Sequence, residues 1–266
     1  MMKLLDLVKD PYERKARATP GFLVILPLLV AMVGIYGPKN PILTAVFSLV
    51  GACGGVFALA NVVRGKGKQL EEKLIIQWGG MPTTIALRHR DGFFDSLSKQ
   101  RYHDAIEKKL NIKMPSADDE VADPEAADDI YSGATRRLRE LTRTNKGLLL
   151  KENIAYGFHR NMMAIRVLGT LTSLIGIAIV LIGSGLVSIH PFEFNALTVP
   201  VNPAIAMTAL ISVALLLGWI FYFNADSTRR VGFVYAERLF ECLNSIRQPP
   251  KRATKKMVTD EGIESS

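Results

Sequence analysis

The sequence predicts an all-α membrane protein: four transmembrane helices, as two hairpins, flanking a mostly helical cytoplasmic domain. Three observations predict it. Residues 167–189 run for 23 positions without a formal charge, and a helix of about 20 residues crosses a hydrocarbon core. Three further apolar runs accompany it, at 21–36, 41–63 and 203–223. Lysine and arginine lie between the runs, and that bunching, more than the 48% apolar content, marks a membrane chain.

Residues 1–20 read as a cytoplasmic segment. Charges run through them, with no short apolar core and no small-residue cleavage site, so a signal peptide is not expected. Residues 21–63 form the first hairpin, turning at Gly37, Pro38, Lys39 and Asn40. Pro27 inside the first run is tolerated in membrane helices. Gly51 and Gly55, four apart, allow close helix approach, either within the chain or between subunits.

Residues 64–166 read as a cytoplasmic ligand-sensing domain. A helix over 65–78 leaves the second span, with Leu70, Leu74 and Trp78 on one face. Gly79 and Gly80 break it, and 83–91 suggest a short strand. Asp95 is an N-cap for a helix over 96–110. Residues 114–129 hold seven carboxylates and no lysine or arginine. Asp123-Pro124 opens a helix to about Arg143, with Ile130, Ala134, Leu138 and Leu141 as its apolar line. A helix over 148–163 leads into the third run. Residues 167–223 form the second hairpin, with Trp219 and Tyr222 placed as an aromatic belt. Residues 224–266 read as a polar cytoplasmic tail.

Orientation follows from the basic residues. Lys3, Lys9, Arg14, Lys15 and Arg17 precede the first run. Arg64, Lys66, Lys68, Arg160 and Arg166 edge the middle region, and Arg229, Arg230, Lys251, Arg252, Lys255 and Lys256 follow the last run. The 37–40 turn has only Lys39 and the 190–202 loop has none. Both termini are therefore expected in the cytoplasm. The net charge of +8 is largely this orientation signal.

Three constellations invite a ligand. The first is Trp78, Gly79, Gly80, Met81, Pro82, Thr83 and Thr84 followed by Arg88, His89, Arg90 and Asp91. Backbone N–H groups, hydroxyls and guanidinium groups together can hold a phosphate; a glycine turn followed by solvated charge is the other reading. It lacks the ending of a P-loop. The second is the basic set Lys99, Arg101, Tyr102, His103, Lys108, Lys109, Arg136, Arg137, Arg139, Arg143 and Lys146, which fits either nucleic acid or a solvated, lipid-facing surface. The third is Tyr156 through Asn161 at the membrane entrance, either an interfacial anchor or a gate.

No catalytic residues, metal ligands or cofactor are expected. His89, His103, His159 and His190 lack ligand spacing, Cys53 and Cys242 make no framework, and no kinase set or nucleophile elbow occurs. The apolar centres of the runs contain no acid or base, which disfavours a proton-coupled transporter. A membrane scaffold, and less so a membrane-embedded enzyme with His89 and Asp91 as its pair, stand as alternatives.

The words WGGMPTT…LRHRD, KQRYHDAI, ADPEAADDIY, LRELTRTNKG and ENIAYGFHRN, between hairpins over residues 10–223, resemble bacterial membrane effectors of phage-defence loci, closest to the Hailong-type effector. The resemblance implies a bacterial inner-membrane protein that forms a homo-oligomer, a tetramer, and an ion-conducting pore. It implies a partner nucleotidyltransferase whose single-stranded oligodeoxyadenylate binds the cytoplasmic part and keeps the pore closed. Phage nuclease activity would then open it and halt the infected cell. The residues expected to meet this or another anionic nucleotide ligand are Arg88, His89, Arg90, Arg101, Arg136, Arg137, Arg139 and Arg143.

Overall fold

The structure, a computed structural model, describes residues 9–144, 147–195 and 202–246, with the side chains of Leu43, Ala52 and Cys53 excepted. Lys3, Lys146, Lys251, Arg252, Lys255, Lys256 and the Cys53 side chain, all invoked above, lie outside the described residues.

The described chain is helical apart from one two-stranded hairpin. Helix α1, Glu13–Tyr36, carries Glu13 and Arg17 as an ion pair in its first turns and then turns wholly apolar. Pro20 lies seven residues inside this helix, where its π-helical first turns, Glu13–Ala18, give way to α-helix. After a turn over 37–40, α2, Pro41–Val50, runs through a π-helical stretch, Gly51–Gly55, into α3, Val56–Trp78. Gly79 ends α3 in the left-handed conformation, φ 73°. A Cβ at Gly51 would lie 3.1 Å from Leu29, and one at Gly55 3.5 Å from Ile25. The Gly51 and Gly55 spacing therefore serves packing of α1 within the chain.

Three helices are long and apolar enough to cross a membrane: Glu13–Tyr36, Arg166–Gly183 and Pro203–Tyr222. The expected second span, 41–63, is helical throughout but is not among them. The architecture is thus all-α with three candidate spans. α9 (Arg166–Gly183) and α10 (Pro203–Leu217, with its π-helical extension Gly218–Tyr222) both pack on α1.

The third run is shorter than the expected 167–189. Gly183 ends α9, Gly185 adopts φ 80°, and residues beyond form β1, Val187–Ile189, against β2, Phe192–Phe194. A charge count cannot see this stop, because Ser184 and Gly185 are as neutral as the helix. Trp219 is also misplaced by the belt reading. It is fully buried against α9, where a Cβ at Gly169 would lie 2.1 Å from its ring.

Away from the spans, short helices build a second core. α4, Pro82–Ile85, replaces the expected strand; Pro82 supplies a first helical position whose missing N–H costs nothing. α5, Ser96–Leu110, starts where expected, with Asp95 accepting the Ser98 N–H. α6, Ala117–Ala122, opens on a Ser116–Asp119 capping box, and α7, Pro124–Leu141, on Asp123. α7 buries Ala127, Tyr131, Ala134 and Leu138, while Ile130 and Leu141 of the expected apolar line are exposed. The stripe is displaced because Tyr131 turns inward to Glu120. α8, Leu148–Ala164, meets α9 across a one-residue departure from helical geometry at Ile165.

Residues 224–246 do more than trail from the last span. α11, Ala225–Glu241, and a following 3-10 turn place Tyr235, Ala236, Leu239, Phe240 and Leu243 in the core built from Leu87, Tyr102, Ile106, Tyr131, Leu138 and Tyr156.

Candidate functional site

The structure sorts the expected ligand residues into three groups. Arg88, His89 and Arg90 come together, but around carboxylates of the same chain. Arg88 donates from Nε and Nη2 to Asp128, both at 2.7 Å, and from Nη2 to the Gly79 carbonyl at 2.5 Å. Arg90 donates to Glu120 at 2.9 Å and to Asp128. The backbone N–H groups of His89 and Arg90 also donate to Glu120. The Gly79-Gly80 turn read as a phosphate cradle holds the chain's own arginine: a Cβ at Gly80 would lie 2.8 Å from Arg88 Nη2.

Glu120 is the centre of that network. Burial alone would raise its pKa. The Tyr131 hydroxyl at 2.6 Å, the two backbone N–H groups and Arg90 outweigh burial and lower it to about 2. His103 donates from Nε2 to the Leu87 carbonyl at 2.8 Å and meets the His89 ring edge-on. Burial lowers its pKa, which favours the neutral ring at this core position.

Arg101, Arg136 and Arg137 form the second group, on exposed surface. Arg101 lies over the Tyr102 ring and lines a shallow depression with Lys108 and Lys109. Arg137 pairs with Glu140 one turn on.

The third group is Arg139 and Arg143, and here the chain makes a cavity of about 370 Å³. Tyr12 comes from the start of α1, Glu71 from α3, Arg139, Thr142 and Arg143 from the end of α7, Asn153, Tyr156 and Arg160 from α8, and Tyr235 from α11. Three guanidinium groups and one carboxylate line it. Arg160 pairs with Glu71 at 2.8 Å. Burial works against its charge, but Glu71, Tyr12 and Tyr156 together outweigh this and raise its pKa. Arg139 and Arg143 make no ion pair among the described residues. Tyr156 is 5% exposed and stacks parallel to Tyr235. Its hydroxyl faces Glu71 without a well-aligned hydrogen bond. Burial first, and the Glu71 charge second, raise its pKa, so it stays protonated as a donor.

Beneath the cavity is a polar knot. Asn161, fully buried, donates to the Ala16 carbonyl of α1 at 2.6 Å and accepts from Arg160 at 3.3 Å. A Cβ at Gly67 of α3 would lie 2.0 Å from Asn161 Oδ1, so only glycine lets α3 pass. The Tyr156–Asn161 stretch, read from sequence as anchor or gate, thereby ties α8 to α1 and α3. Tyr12, Glu71, Asn153 and Tyr235 escaped the sequence reading. Single residues on four elements leave no local spacing to detect.

No grouping of His, Cys, Asp and Glu suited to a metal occurs among the described residues. Comparison of the chain with family models, curated proteins and solved structures finds no match.

Proposed function

We propose that this protein is a ligand-gated membrane effector whose cytoplasmic domain senses an anionic ligand in the Arg139–Arg143 cavity. The observation that carries the reading is a net-positive cavity with a buried, poorly satisfied tyrosine hydroxyl, standing directly on the Arg160–Asn161 knot. Guanidinium groups clamp phosphate oxygens, and tyrosine faces accept a stacked base. A nucleotide or single-stranded nucleic acid phosphate fits that chemistry.

Coupling needs two states that the ligand distinguishes. Arg160 supplies the connection: it lines the cavity, pairs with α3 and touches Asn161, which is bonded to α1. A ligand that competes with Glu71 for Arg160 loosens the α3–α8 tie. The Ile165 break gives α9 a pivot against α8.

In the finer form of the proposal, residues 41–63 supply a fourth span, both termini are cytoplasmic, and a homo-oligomer, a tetramer, forms a pore in a bacterial inner membrane. The ligand is then oligodeoxyadenylate made by a partner nucleotidyltransferase, and the role is anti-phage defence. The residue words quoted above support that form, together with the positive-inside pattern.

The test is binding of labelled oligodeoxyadenylate to the full chain in detergent across a salt series. Saturable binding that weakens with salt and drops at least about tenfold in Arg139→Glu/Arg143→Glu is expected. Absence of binding at low salt sinks the nucleic-acid reading. Binding lost instead in Lys108→Glu, with the cavity variant unaffected, moves the site to the exposed face.

A further inference from the structure

A second concavity, of about 580 Å³, lies on the other side of α8. Pro11, Leu150, Ile154, Ala155 and Phe158 give it an apolar wall. Among the described residues, Lys15, Lys151 and His159 are its ionisable groups, and no carboxylate lines it. Neither lysine makes an ion pair among the described residues, and both are exposed. The Nδ1 atom of His159 is buried without a hydrogen-bond partner.

The level of this groove in the molecule is fixed by its neighbours. Thr19, which lines it, begins the apolar stretch of α1. The His159 ring packs 5.4 Å from Tyr222, the last residue of another candidate span, and Phe158 packs 6.0 Å from Phe223. α9 starts only seven residues after His159. The groove therefore opens at the ends of candidate spans, which in a bilayer corresponds to headgroup depth.

We propose that the groove is a specific site for an anionic phospholipid. The headgroup phosphate sits between Lys15 and Lys151, within reach of His159, and the upper acyl chain lies along Ile154 and Phe158. Charge complementarity selects the anionic headgroup, and the apolar wall separates this site from one for free phosphate. The lipid bridges α1 and α8, the two elements already joined by Asn161 and Ala16. Its argument needs only the membrane placement, not the anion cavity on the opposite face.

The test uses full-length protein in nanodiscs of phosphatidylcholine doped with phosphatidylglycerol, with retained lipid counted by native mass spectrometry. Preference for phosphatidylglycerol over phosphatidylcholine of about tenfold or more is expected. Lys15→Glu/Lys151→Glu should remove it, while Lys15→Arg/Lys151→Arg keeps it. Lys66→Glu/Lys68→Glu, an equal charge change on exposed α3 positions, should leave it intact. Loss in that control as well would show diffuse surface attraction and overturn the site. So would equal retention of the two lipids. Because the charge-reversed variant risks misfolding, a photoreactive phosphatidylglycerol is cross-linked to the unaltered protein. Labels within 150–159 are expected, and labels confined elsewhere overturn the proposal. Groove protection by a second copy would appear as protein–protein cross-links there without lipid, which also overturns it.

Discussion

At the scale of single residues, the arginines divide by what already neutralises them. Arg88 and Arg90 are held by Asp128 and Glu120. Arg88→Glu should therefore act on stability, because it sets a third carboxylate beside two. Breaking such a partly buried pair costs about 3 kcal/mol, read as a lower denaturation midpoint in detergent. Arg139→Glu/Arg143→Glu should shift that midpoint by less than about 1 kcal/mol, as expected for surface charges without partners. Glu120 adds a pH signature. Its pKa falls from 4.5 to about 2 on folding. Its stabilisation is complete above about 4.5 and is lost as pH falls from there towards about 2. Glu120→Gln should flatten the stability–pH curve in that window. The sequence marked Arg88–Arg90 as special from its Gly-Gly-Thr-Thr setting. It did not reveal that the partner was the chain's own acidic stretch 30 to 40 residues on.

At the scale of elements, local chemistry was read well and tertiary chemistry poorly. Asp95 and Asp123 announced two helix starts, which the structure places at Ser96 and Pro124. Both caps are encoded within three residues. The inward turn of Tyr131 and the burial of Trp219 depend on partners in other elements, so periodicity misjudged them, while the stop at Gly183 is set locally by Gly185 and the hairpin after it, which a charge count passes over. The tightest junctions make sharp predictions. Gly67→Ala should cost about 2 kcal/mol or more, since overpacking a fitted contact costs about 1–3 kcal/mol. It should also weaken the coupling of α3 to α8, because Asn161 must leave Ala16 or Gly67 must retreat. Thermal unfolding in detergent and a cross-link between cysteines introduced at Lys68 and Ala164 would report the two effects.

At the scale of the whole molecule, chain order and spatial order differ. The candidate spans α1, α9 and α10 enclose one core, with Val24, Met162, Ile165 and Trp219 at its domain end. The second core is closed by α11, which follows the last candidate span. A polar tail was the natural reading of 224–266, since charge masks a stripe of Tyr235, Ala236, Leu239, Phe240 and Leu243. Truncation after Asn224 removes all five from the core, and burying each large apolar side chain contributes about 1.5–3 kcal/mol. Such a chain should lose the folded domain, visible as rapid limited proteolysis between residues 80 and 160. The returning helix also supplies Tyr235 to the cavity, so α11, beyond the last candidate span, completes the site that Tyr12, beside the start of α1, begins.

The central claim is that an anion in the Arg139–Arg143 cavity shifts the membrane helices through Arg160 and Asn161. Ion flux from proteoliposomes, measured with and without oligodeoxyadenylate, tests it most directly. The account predicts that ligand suppresses flux through the unaltered protein and has no effect on Arg139→Glu/Arg143→Glu. Flux that is absent, or identical with and without ligand at concentrations that saturate binding, would contradict it.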